Sequence, residues 1–419
     1  MSAAAGTPVA SPSATAPGTS SRTPPADAYG PVRGLRVGVI GGGLGGLAAA
    51  LALRAGGHDV VVFEQAEGFR PVGAGISLWP NGVKVMALLG LADRVVEVAG
   101  RMERMAYADR HGRTLTEVSL EPLYRTVGQR AWPLARADLQ DILVEAVGAP
   151  SIRFGRRCLA VDSDEEGAAA TFDDGEVFEA DLIVAADGTH SRARSWVAGA
   201  DVGRSYVGYV NFNAIVAPPD GRWDPVTWTT WVGDGQRASV MPCGRDRLYA
   251  FFDIPMDLDR ATDPDLGPLD ELRRGFAGWS GPVAALLEAL NDTSLNRVLI
   301  HEVPPMLQWS RGRVALLGDA AHGMAPDLGQ GGCQALEDAW VLNHFVTTTD
   351  LCVADALRRY ETERAARTAE IVRRARKRSD LTHAVDPAAT EAWYRSLEGD
   401  SGEAIIAGLV ESVVTGPCR

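Results

Sequence analysis

Cysteine is scarce in this chain of 419 residues: there are five, scattered, odd in number and without a CxxC spacing. That excludes a disulfide framework and a zinc site as organising features, and it fits a reducing compartment such as the cytoplasm. Positive charge is short as well, with 41 Lys and Arg against 54 Asp and Glu and a formal net charge of -13. So acidic a chain has no general affinity for nucleic acid or for an anionic membrane, and any phosphate it binds needs local help. Long apolar runs are missing too. The longest, residues 37–53, is rich in glycine and interrupted by a phosphate-binding pattern, so a soluble strand, turn and helix are expected there rather than a membrane span. Residues 1–33 have no continuous apolar stretch and are dominated by Ala, Ser, Thr, Pro and Gly. They are too polar for a signal peptide, carry no packing stripe, and are expected to form a disordered leader.

What remains is the composition of an ordinary globular protein, 46% hydrophobic and 23% charged, long enough for two or three domains. Residues 35–40 are short, β-branched and bounded by glycine, the pattern of a buried parallel strand. A helix over Leu44–Ala55, ended by Gly56-Gly57, and a strand over 60–64 complete a βαβ unit. Such a unit implies a right-handed crossover and a parallel sheet. Arg136–Val147 has helical periodicity, with Leu139, Ile142, Leu143 and Val147 on one side. Residues 159–163 and Ala168–Phe172 read as a small antiparallel meander with Asp173-Asp174-Gly175 as its turn. Runs 209–217, 227–232, 238–241 and 248–253 are strand-like and rich in aromatics, and residues 269–290 return to helical spacing. The first sheet resumes at Val314, a long helix starts near Gln334, and the Arg-rich helix over 355–379 is expected to be solvated and amphipathic. The expected fold is α/β: a Rossmann-type nucleotide domain (34–205 and 296–350) interrupted by an antiparallel β-sheet domain (206–295), with a helical region over 351–419.

Three separated blocks carry the chemistry. Gly41, Gly43 and Gly46 occupy the GxGxxG positions, with Leu44 and Gly45 between them, directly after the first strand. The first glycine permits a tight turn, the second lets backbone approach a pyrophosphate, and the third allows close helix–strand contact. The helix starting at Leu44 points free N–H groups and its positive dipole end at that diphosphate. Glu64, followed by Gln65, stands about 20 residues on, where an acid reaches a ribose diol. The second block is Asp187-Gly188, closing the strand-like residues 181–186. The third is Gly318-Asp319, followed by Gly329-Gln330-Gly331-Gly332-Cys333 at a helix start. Asp319 is placed to accept hydrogen bonds from a ribityl chain, and the helix start is placed to stabilise negative charge on a reduced flavin.

These blocks resemble the flavoprotein monooxygenase family that includes the salicylate and para-hydroxybenzoate hydroxylases. The resemblance spans almost the whole chain from Leu35 and includes ADLIVAADGTHSRAR and GDAAHGMAPDLGQGG. It implies FAD as cofactor, NADH or NADPH as co-substrate and O2 as oxidant. It also implies FAD contacts from Arg136, Ser77 and the backbone near Cys158, with Asp187-Gly188 supporting the nucleotide region and the approach of the nicotinamide. Within the family, PVGAGISLWPNGVKVMALLG, RSYVGYVNFNAIV, WTTWVGDGQRASVMP and GRDRLYAFFDIP resemble the branch that hydroxylates urate. That implies Arg237, Tyr249 and Asp327 as the catalytic and substrate-binding trio, with Asn211 as a weaker contact. The implied reaction gives 5-hydroxyisourate through a C4a-hydroperoxyflavin.

The residue types suit such a guest. Arginine offers a planar donor fork and permanent charge to a flat anion, tyrosine a phenolic donor, and aspartate an acceptor for a ring N–H. If the turn over 244–246 pairs Met241 with Tyr249, Arg237 and Tyr249 share one sheet face. The chain departs from the urate branch at Ala321-His322-Gly323-Met324-Ala325 and at Phe212 and Ala214, which are expected to alter pocket volume. Two alternatives follow: the same chemistry on another phenolic or heteroaromatic compound, and a flavin-binding module without catalysis.

Overall fold

A computed structural model of the chain describes residues 34–69, 74–219, 223–263 and 267–414. The leader expected over 1–33 lies outside the described residues. Arg36–Ile40 runs through the middle of a six-stranded sheet, where Val37 and Val39 are fully buried. Asp59–Phe63 and Leu182–Ala185 flank it in parallel, and Val314–Leu316 and Ile152–Arg153 extend it in parallel on either side. Ser310–Arg311 closes one edge in the antiparallel sense. The Leu44–Ala55 helix packs with Ala48, Ala49, Ala50 and Ala52 buried, small side chains that let it lie close to the Gly331–Thr348 helix. The small meander gains a third strand, Val177–Ala180, and the Asp173-Asp174-Gly175 turn joins this strand to Ala168–Phe172.

The second sheet has seven strands, in the order Asn296–Glu302, Ser205–Val216, Leu248–Pro255, Gln236–Pro242, Thr227–Gly233, Arg104–Asp109 and Thr114–Ser119. Its boundaries differ from those expected. Arg104–Asp109 and Thr114–Ser119 come from within the first nucleotide segment, and Asn296–Glu302 from the start of the second. The cause is non-local pairing: Arg104 sits opposite Thr227 in a parallel ladder, and nothing in the sequence around residue 104 announces that partner. The helical residues 269–290 are two short helices, Pro268–Gly275 and Gly281–Glu288, laid over one face of this sheet.

That covered face holds Phe212 and Ala214, both fully buried with Phe252, Phe276 and Leu286. Strand alternation turns these two away from Asn211 and Asn213, so they pack a core and do not shape the pocket as expected. The Arg-rich helix is a second correction. It spans Val353–Thr382, and Arg364 at its heart is fully buried rather than solvated. Among the described residues, no helix is long and apolar enough to cross a membrane.

Candidate active site

The two sheets meet at a cavity of about 740 Å³. One wall is backbone. Gly41 sits at φ +105, where a Cβ would run into the Ala186 carbonyl, and a Cβ on Gly46 would collide with the carbonyl oxygen of Gly41. Gly43 differs: among the described residues a Cβ there would meet no atom within 4 Å, and the residue lines the cavity. Its missing side chain therefore leaves room for something other than the protein. Gly43 is also the N-cap of the Leu44–Ala55 helix and makes no side-chain cap, so the first N–H groups of that helix remain open to a ligand. Asp319 begins the short helix after Gly318, and Gly331 and Gly332 open the Gly331–Thr348 helix onto the same space.

The facing wall is side chain, set by register. Asn211 pairs with Asp253, and Asp253 pairs with Arg237, so the three form one row across the second sheet. Met241 pairs with Tyr249, putting Tyr249 on the same face two pleats away. Gly75 lies against the Tyr249 ring, which a Cβ at that position would displace. Within the row, Arg237 Nε and Nη2 both approach Asp253 Oδ2 at 2.6 Å, and Asn211 Nδ2 donates to Asp253 Oδ1 at 2.7 Å. Asn213 donates to Asn211 Oδ1 at 2.6 Å and continues the chain. Asp327 enters from the other side of the cavity, with its Oδ1 3.2 Å from Arg237 Nη2 and its Oδ2 accepting from the Tyr209 hydroxyl at 2.8 Å.

Burial disfavours charge on Asp327, Arg237 and Tyr249, and partners decide the outcome. Burial alone would raise Asp327, but Arg237, His383 and Tyr209 hold its carboxyl well below the usual range. Burial opposes the charge on Arg237 as well, yet Asp253 and then Asp327 keep it protonated. Tyr249 is pushed up, chiefly by burial and then by Asp253, and stays a hydrogen-bond donor.

The cavity gathers most of the residues expected to act. Asn211, Arg237, Tyr249 and Asp327 all line it, as do the loop from Gly43 to Gly46, Ser77 and Arg136. Asp319, Gly329, Gly331 and Gly332 complete that set. Gly41, Glu64, Gln65, Cys158, Asp187, Gln330 and Cys333 do not line it. Glu64 directly follows the second strand and braces the glycine loop, accepting from Gly42 N–H at 2.7 Å and Ala66 N–H at 2.8 Å. Asp187 Oδ2 accepts from the Arg192 N–H at 2.9 Å. Cys158 lies in the meander, where its thiol meets the Ala160 carbonyl. The Cys333 thiol is buried against Trp79 N–H, and burial pushes it up to about 12. Gln330 turns inward, accepting from Asn81 and Gln334.

Sequence reasoning missed Asp253, Tyr209, His383 and a buried polar network beneath the backbone wall. Asp253 carried a usable signal, since it lies four residues after Tyr249 in one strand and so on the same face. In the network, Arg364 donates to Asp338 Oδ1 at 2.7 Å, Glu337 Oε2 at 2.6 Å and Gln334 Oε1 at 2.7 Å. Asp338 Oδ2 in turn accepts from Gly318 N–H at 3.0 Å and contacts His322 Nε2 at 2.6 Å. Asp338 thus ties the Gly318-Asp319 turn to the helix that opens at Gly331, and Arg364 holds Asp338 from the neighbouring helix. The acidic partners of Arg364 are held ionised: burial raises Glu337 and Asp338, but Arg364, together with Arg367 for Glu337 and His322 for Asp338, lowers both.

Comparison with known proteins agrees with this geometry. Residues 35–375 match the family model described as FAD binding domain. The chain is 46% identical over 381 residues to a FAD-dependent urate hydroxylase of Klebsiella pneumoniae, a match covering 90% of this chain and 98% of that protein. It is 45% identical over 392 residues to a FAD-dependent urate hydroxylase of Mycolicibacterium vanbaalenii, covering 91% and 98%. The fold superposes on the crystal structure of Klebsiella pneumoniae HpxO complexed with FAD and uric acid with a TM-score of 0.88 at 44% identity, covering 92% of this chain and 98% of that one. A glycine-built wall with space for a cofactor, and matches that span nearly the full length of these relatives, lead to one conclusion: the chain belongs to the FAD-binding flavoprotein monooxygenase family.

Proposed function

We propose that this flavoprotein hydroxylates urate at C5, converting urate, NADH (or NADPH), O2 and a proton into 5-hydroxyisourate, NAD(P)+ and water. The observation that carries the proposal is the register that sets Asn211, Arg237 and Tyr249, with Asp327, around one cavity opposite the glycine wall. The names of the relatives at 45–46% identity, and the uric acid bound in the HpxO structure, support the same substrate. Bound FAD supplies the redox chemistry, taking electrons from the nicotinamide and activating O2. The protein supplies the positioning. Arg237 holds the flat anion through its donor fork, Tyr249 donates a phenolic hydrogen bond, and Asp327 accepts from a ring N–H. Met241, Phe251 and Met324 line the same space and limit water, which would otherwise divert reduced cofactor and O2 to hydrogen peroxide. No dedicated general base is needed for a substrate that arrives already anionic.

The test is a substrate panel, including urate and salicylate, scored for nicotinamide consumption, oxygenated product and peroxide. Coupled turnover with urate is expected. Coupled turnover with salicylate but not with urate would overturn the assignment. Arg237→Ala should leave the protein yellow and lower kcat/KM for urate by about 100-fold or more, with peroxide replacing product.

A further inference from the structure

His383, the residue just past the Val353–Thr382 helix, is buried behind Asp327. Its ring stacks on Tyr209, with centroids 3.8 Å apart and planes at 27°. Nδ1 lies 3.3 Å from the Gly235 carbonyl oxygen. A carbonyl only accepts, so Nδ1 carries a hydrogen. In a neutral imidazole Nε2 is then a bare lone pair, and it faces Asp327 Oδ1 at 3.6 Å. Both atoms are buried, and neither makes an aligned hydrogen bond within the described residues. Two lone pairs confronting each other in a low-dielectric interior repel, whereas one proton between them turns the contact into attraction. Tyr209 favours the same outcome from both sides. Its hydroxyl holds the other Asp327 oxygen, and its ring face suits a cationic imidazole.

Charge counting gives this proton a use. Arg237 is a single guanidinium set between two carboxylates, Asp253 and Asp327. That trio carries one net negative charge before any guest arrives. The other charged groups around His383 are committed elsewhere. Arg376 pairs with Glu302 at 2.6 Å and reaches Asp380 at 3.8 Å, and Arg110 pairs with Asp234 at the turn that carries Gly235. The Tyr394 hydroxyl accepts the Gly235 N–H, and Arg378 donates to Tyr107. We propose that His383 and Asp327 share one proton, and that this proton lets the cavity accept an anionic substrate by bringing the Arg237–Asp253–Asp327 cluster to neutrality. His383 is in this sense a positioning residue that acts through Asp327. The inference rests on the proposed substrate role of the cavity.

Urate affinity of the oxidised holoenzyme, read from the perturbation of flavin absorbance without nicotinamide, tests it between about pH 6 and 9, where urate is a monoanion. The dissociation constant is expected to climb with pH, by up to about tenfold per unit once the shared proton is lost. His383→Gln should weaken binding by about tenfold at pH 7 and flatten that slope, with kcat and flavin content within about twofold of the parent. His383→Lys, which keeps a positive charge, should restore binding and carry the loss to higher pH. A flat profile in the parent enzyme, or an unchanged slope in His383→Gln, overturns the inference. Failure of urate to bind at every pH would instead remove the substrate assignment. The pair is then decided without substrate, by 15N NMR of the histidine side chains, with His383 identified by its disappearance in His383→Gln. Two protonated ring nitrogens at neutral pH, reverting to one in Asp327→Asn, support the shared proton, and a bare Nε2 in the parent protein refutes it.

Discussion

The six-stranded sheet presents the cavity mainly with backbone, through Gly43, Gly318 and Gly331, whereas the seven-stranded sheet presents it with side chains, through Arg237, Asn211 and Tyr249. On the function proposed above, the difference follows from what each wall would meet. A diphosphate and a ring edge are read by N–H groups and helix ends, which require close approach and no Cβ. A small, flat, hydrogen-bonding anion is read by a donor fork and placed acceptors, which only side chains can supply. The first kind of site is fixed by local backbone shape. The second exists only once distant strands have paired in the right register.

Substitutions can break this contrast or sharpen it. The largest effect is expected from Gly46→Ala, whose Cβ strikes the Gly41 carbonyl. Backbone cannot yield as a flexible side chain can, so a loss above about 4 kcal/mol is expected, seen as failure to recover folded, yellow protein. Arg364→Met comes next. It leaves Glu337 and Asp338 buried without their shared cation, at a cost of about 3–5 kcal/mol in denaturant unfolding. The pH dependence has a definite sign. Both carboxyls lie below their ordinary values in the folded state, so their contribution is present above about pH 4 and fades as the pH falls through the folded values. The stability gap between the parent and Arg364→Met should therefore be widest near neutral pH and narrow as the pH falls below about 4.

Gly43→Ala separates folding from cofactor capture. The residue has φ -73, which alanine adopts freely, and its Cβ would meet no atom within 4 Å among the described residues. The melting temperature of the flavin-free protein should hold, while the FAD dissociation constant rises about tenfold or more, equivalent to about 1.4 kcal/mol. Equal FAD affinity would mean that the cofactor does not approach this loop. Ala214→Gly should be the mildest. Lying on the far face of the second sheet, it should cost about 0.5–1 kcal/mol of stability and leave KM for urate unchanged. A changed KM would show that this face communicates with the cavity.

The same contrast explains what could be read from the chain alone. The Leu44–Ala55 and Arg136–Val147 helices have the bounds their periodicity implies, because a glycine marks the end of each. Gly41 and Gly46 are legible as a tight turn because each answers a backbone demand made within a few residues. Arg104–Asp109 was invisible as part of the second sheet because its partner, Thr227–Gly233, lies in another part of the chain. Asp253 had the right period, but its meaning appears only when Asn211 and Arg237 stand on either side of it. Arg364 looked like one more charge on a solvated helix. Only the packing of that helix against Glu337 and Asp338 reveals a buried cation.

The position of Arg364 in the chain also sets an order of events during synthesis. The glycine loops leave the ribosome early, but the guanidinium that compensates Glu337 and Asp338 beneath the Gly318 turn is made late, and His383 later still. A nascent polypeptide ending near residue 350 holds all of these glycines and the Asp338 that accepts from Gly318, but it leaves Glu337 and Asp338 without the Arg364 cation. Such a chain would have to bury two carboxylates without Arg364, so the packing beneath the cavity is complete only once that late residue has been made.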